Sequence, residues 1–261
     1  MSFPESERIV FAENPLVEVI SQLTFPTILA IAAEPPAAFQ ERLRDQYPIY
    51  ERVGPFTANL PAEVSQVLAQ FQLPTGLEAM THRFSTEDRS RQVALTRDFV
   101  ALTVTDYTRW EVFRAALADV KTALEEIYRP AFYSRVGLRY RDVVDRERLG
   151  LTDDWPALLQ TAVLGILSAE TGVRSGVRAT RGEALVQLDD PPGASVKLVY
   201  GTEGPPENET YAIDADWFTL ERSNPNDVLG LLDRLNHHAG NLFRWAITPK
   251  LRAALGSRND Q

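Results

Sequence analysis

The chain has no cysteine, which rules out a disulfide framework, a thiolate-bound zinc and a thiol nucleophile. Lysine is nearly missing too, occurring only at Lys121, Lys197 and Lys250, so arginine carries the basic charge. The formal net charge is −9, which counts against a general binder of DNA or RNA while leaving room for a local basic groove. No apolar run approaches the ~18 residues of a membrane span. The opening segment, Met1 to Arg8, is polar and acidic rather than a secretory leader. These absences predict a cytoplasmic protein without membrane contact. Gly172–Gly176 lacks the Lys-Ser/Thr of a phosphate-cradling loop, and Ser175 has no Gly-x-Ser-x-Gly frame. No cofactor is implied.

What is present is a cadence that runs twice through the 261 residues: strand, helix, several strands, long helix. In the first half, 1–130, Val17, Val19, Leu23 and Phe25 alternate with Glu18, Gln22 and Thr24, which predicts a half-buried strand. Phe39, Leu43 and Tyr47 then stand at helical spacing before Pro48. Residues 51–80 read as a connecting insertion with one short helix around Ala62–Ala69. Strands follow at His82–Glu87, Arg91–Arg97 and Val100–Tyr107. Trp110, Phe113, Leu117, Val120, Leu124, Ile127 and Tyr128 form one apolar stripe on a long helix, with Thr108 as its expected N-cap and Pro130 beyond its end.

The second half, 131–261, opens on a strand over Tyr133–Val144. A helix is expected from Trp155 to Glu170, then strands near Val177–Thr180, Ala184–Leu188, Ser195–Tyr200 and Thr210–Phe218. Gly201–Glu209 reads as a loop. The last long helix starts at Asn224-Pro225 and carries Val228, Leu231, Leu232, Leu235, Ala239, Leu242 and Phe243. Each half thus reads β-α-β-β-β-α. The order predicts an α+β protein of two similar halves, ferredoxin-like or TATA-binding-protein-like, with antiparallel sheets and helices on one face.

Candidate chemistry is sparse. His237 and His238 are adjacent on a helix and point about 100° apart, so they cannot grip one ion together. Asp214 and Asp216 share a strand face, where paired carboxylates can bind a cation or work as acid and base. Arg135, Arg139 and Arg141 also share one face, where a row of guanidinium groups can hold phosphate or carboxylate. The two sets equally suit a salt-bridge cluster across the sheet, and that pairing is the preferred reading. Trp155, Trp217 and Trp245 fall at core positions rather than on a basic stacking platform.

Five motifs occur in order: Asn14-Pro15-Leu16-Val17-Glu18-Val19, Gln46-Tyr47-Pro48-Ile49-Tyr50-Glu51, Gly137-Leu138-Arg139-Tyr140, Ala212-Ile213-Asp214-Ala215-Asp216-Trp217-Phe218 and Phe243-Arg244-Trp245-Ala246-Ile247-Thr248. On these the chain resembles a sporadically distributed, functionally uncharacterised bacterial family of about this length. The resemblance implies no reaction and no catalytic residue; its patchy distribution is compatible with mobile or defence-associated genes. The expected function is a non-enzymatic binding or adaptor protein that meets a protein partner or a second copy of itself. The alternatives are a nucleic-acid binder using the arginine-lined face and an enzyme centred on Asp214 and Asp216.

Overall fold

The computed structural model describes residues 3–54 and 80–256. The helix expected over Ala62–Ala69 lies outside the described residues. The protein is α+β. Among the described residues nine strands form an antiparallel sheet in the order β2-β3-β4-β5-β1-β6-β9-β8-β7. The strands are β1 (Leu16–Thr24), β2 (Ile49–Val53), β3 (Thr81–Ser85), β4 (Arg91–Leu95), β5 (Phe99–Val104), β6 (Arg135–Val144), β7 (Arg181–Gln187), β8 (Ala194–Glu203) and β9 (Thr210–Thr219). The helices among the described residues are α1 (Leu29–Ala33), α2 (Ala37–Leu43), α3 (Trp110–Tyr128), α4 (Trp155–Leu158), α5 (Thr171–Arg174), α6 (Val228–Ala246) and α7 (Pro249–Leu255).

The chain divides into two compact units. One comprises Ile20–Gly137 and Leu220–Leu229. Its core follows from strand alternation: Val100, Leu102 and Val104 of β5 are buried, while Phe99, Ala101 and Thr103 between them are half-buried. Helix α3 spans the residues its stripe predicts and buries Phe113, Leu117, Val120 and Leu124. It ends at Arg129, which turns left-handed with φ 49° ahead of Pro130. Its start differs from expectation. Arg109, in extended backbone, is the residue before the helix, and no side chain caps it. Strand β2 is also unexpected. It pairs Ile49–Val53 with β3 and adds a strand to the first half.

The other unit comprises Met1–Val19, Leu138–Thr219 and Gly230–Gln261. Tyr211, Ile213, Ala215 and Trp217 of β9 are buried on the face that carries α6, where Trp217 stacks on His238. The Tyr140 hydroxyl donates to Asn236 of α6 at 2.8 Å from the same face of β6. The chain's opening residues run over α6: Phe3 packs edge-on to Trp217, and Arg244 donates to the Ser6 hydroxyl at 2.6 Å.

The helix expected over Trp155–Glu170 does not form as one piece. It breaks into α4 and two short 3-10 turns, and α5 begins only beyond it, at Thr171. Leu158, Leu159, Val163 and Leu164 are all buried. At about 100° per residue those positions spread around a helix instead of sharing a stripe, so a continuous helix could not bury them together. Leu159 is therefore extended and bridges Ile247, and Gly165 takes φ 54°. No strand forms over Val177–Thr180; β7 begins at Arg181, and the Thr180 amide donates to the Thr202 hydroxyl. Strand β8 runs to Glu203, into the segment expected as a loop. Pro249 opens α7, with Thr248 capping it by accepting from the Leu251 amide at 3.4 Å.

Candidate functional site

Strands β6 and β9 bring Arg139, Arg141, Asp214 and Asp216, all predicted, to the sheet face opposite Tyr140 and Trp217. Alternation places them there, since Arg139 and Arg141 flank Tyr140 and Asp214 and Asp216 flank Ala215. Arg139 is at the centre. Its Nε donates to Asp214 Oδ1 at 2.7 Å and its Nη2 to Asp214 Oδ2 at 2.6 Å, a two-pronged pair. Its Nη1 lies 3.6 Å from Glu18 Oε2. Side chains of Arg139 and Asp214 are only 13% and 11% exposed. Burial pulls the Arg139 guanidinium down, but the hydrogen bonds and charge of Asp214, then Glu18 and Asp216, hold it above its ordinary value.

Arg141 does not join that pair. Its Nη2 donates to Glu203 Oε2 at 2.6 Å. Arg135 lies flat over Gly137 and donates to Gln22 Oε1 at 3.3 Å. A Cβ on Gly137 would stand 2.1 Å from Arg135 Nη1, so glycine there is what lets the guanidinium rest on the backbone. Asp216 sits opposite Lys197 in the β8·β9 register and is buried. Lys197 in turn lies 3.3 Å from Glu183. The cross-sheet pairing expected from sequence therefore runs between Arg139 and Asp214, with Asp216 acting on Arg139 through space.

Asp142 was not among the sequence candidates. It falls on the buried side of β6, in step with Leu138, Tyr140 and Val144. Burial, with the Asp214 charge adding to it, holds its carboxyl well above the usual range. The signal was present in the sequence: the apolar alternation of β6 puts an acid on its inward face.

The arrangement has limited chemical reach. Both oxygens of Asp214 accept from one guanidinium, and that guanidinium faces carboxylates with all three nitrogens. Among the described residues no group of three or more His, Asp or Glu side chains could hold a metal ion. The histidines have other work. His82 is buried against the Tyr50 hydroxyl at 2.9 Å, His237 meets Glu5 at 2.9 Å, and His238 is buried on Trp217. Trp155 and Trp217 are buried as expected, and Trp245 is half-buried. No helix among the described residues is long and apolar enough to cross a membrane. No protein-family model matches the chain, and no curated protein matches it.

Proposed function

We propose that the chain is a non-enzymatic binding or adaptor protein whose partner is another protein. One observation carries this reading. The charged side chains best suited to chemistry are spent on one another, whereas strand β7, last in the sheet, keeps its 71%-exposed Leu185 at the surface. An outermost strand offers backbone donors and acceptors to an incoming chain, and alternate side chains set the choice.

The scaffold reading goes with it: two descendants of one β-α-β-β-β-α unit. The strand order supports this, because β5, β4 and β3 succeed one another beside β1 as β9, β8 and β7 do beside β6. The nineteen-residue helices α3 and α6 follow β5 and β9. The absence of cysteine fits a reducing compartment such as the cytoplasm.

A photo-crosslinking residue at position 185, introduced in the native cell, tests the binding reading. A discrete protein adduct at 185, absent when the same group replaces the 74%-exposed Leu29, is the expected result. No protein adduct at 185 above that comparator would sink it.

A further inference from the structure

Strand β7 closes one end of the sheet, and its register with β8 reveals which way its backbone groups point. The Leu188 amide donates to Ala194 O at 2.9 Å, and the Thr202 amide to Thr180 O at 3.0 Å. Both bonds belong to the register that sets Val186 opposite Val196 and Ala184 opposite Leu198. In an antiparallel pair, hydrogen-bonded positions alternate. Gly182, Ala184 and Val186 therefore turn their backbone groups toward β8. Glu183 and Leu185 turn theirs outward, in step with Arg181 and Gln187. The strand has no proline, lysine or bulge of the kind that blunts a sheet edge.

We propose that β7 pairs antiparallel with β7 of a second copy of this chain, about a two-fold axis at Leu185. The inference rests on the binding reading above and names the partner. Side-chain complementarity selects the axis. An axis at Glu183 would oppose that carboxylate to its own copy, and one at Ala184 would set Leu185 against Glu183. With the axis at Leu185, the two exposed leucines meet each other. Glu183 then lies opposite Gln187 of the second copy, and Arg181 opposite its Asp189, an exposed residue just past the strand. No like charges are opposed. The pairing extends one antiparallel sheet into the next and is isologous, so it closes at a dimer.

The absence of cysteine makes the register testable in the full chain. Hydrogen-bonded antiparallel residues stand about 5.5 Å apart at Cα, within the range a disulfide spans. Leu185→Cys, mildly oxidised with glutathione disulfide, is expected to become mainly a disulfide-linked dimer, while the equally exposed Leu29→Cys stays single. In the cysteine-free chain, Leu185→Pro removes an outward amide and the leucine without touching a bond to β8. Its mass in solution should fall from two chains to one, while its far-ultraviolet circular dichroism stays that of the folded wild type. Equal cross-linking of the two cysteine variants overturns the proposal, as does a wild-type mass of one chain at its highest soluble concentration. A monomer that still gives a specific adduct with a different protein at position 185 in cells would refute self-pairing and leave the binding reading standing.

Discussion

At Arg139 the guanidinium gives Nε and Nη2 to Asp214 while Nη1 faces Glu18, so removing it strands carboxylates at a buried position. Loss of one partner of such a pair costs about 3–5 kcal/mol, whereas replacing both by apolar groups of similar size is often close to neutral. Arg139→Met is therefore expected to destabilise strongly in denaturant unfolding, with Arg139→Met/Asp214→Leu recovering much of the loss. A cycle on Arg139 and Asp214 should show coupling on the order of 0.5–3 kcal/mol; the corresponding cycle with Asp216 should show less. Asp142 sets a different dependence. Its folded pKa is raised above the unfolded value of about 3.9. Such a group favours folding fully below the unfolded pKa, where both states hold the proton, and that contribution is lost as pH rises toward the folded pKa. Asp142→Asn should therefore stabilise the chain at about pH 7, by on the order of 1–3 kcal/mol for relief of a poorly solvated polar group. The advantage should vanish toward about pH 4. Unfolding curves at the two pH values decide it; a constant difference would contradict the assignment.

Among the elements, helix α3 and the α4–α7 region mark opposite limits of what a sequence pattern reveals. The stripe of α3 is local and periodic, so its span was legible from Trp110 to Tyr128. Leu117 is buried on it, and Leu117→Ala should cost about 2–5 kcal/mol in the same measurement. The segment after Trp155 also has apolar residues in number, yet its buried positions answer to several neighbours rather than one face. Leu159 bridges Ile247, and the Tyr211 hydroxyl donates to the Val163 carbonyl. Those contacts are far apart in sequence and broke the helix its composition favoured. Thr248 ties the same region together: its amide donates to Leu158 O at 2.9 Å, and its hydroxyl donates to Ala157 O at 2.8 Å and caps α7. Thr248→Ala should cost about 1 kcal/mol, with faster amide exchange at the start of α7.

For the molecule as an assembly, concentration is the variable to change. If β7 strands pair, the outward amides of Glu183 and Leu185 should exchange more slowly as protein concentration rises. The inward amides of Ala184 and Val186, already bonded to β8, should be protected throughout. Mass-resolved or NMR hydrogen exchange over a dilution series reads this directly. Rates at Glu183 and Leu185 that ignore concentration would contradict pairing.

Local chemistry in the sequence was sufficient for the α+β class, most strand positions, both long helices and the faces on which Arg139 and Asp214 lie, because periods of two and 3.6 depend on near neighbours alone. Strand order was beyond it, and so were the choice of Asp214 over Asp216 for Arg139 and the diversion of Arg141 to Glu203. Each of those depends on which distant strand lies alongside and in what register. That is settled by how the strands pack together, not by the residues flanking any one of them.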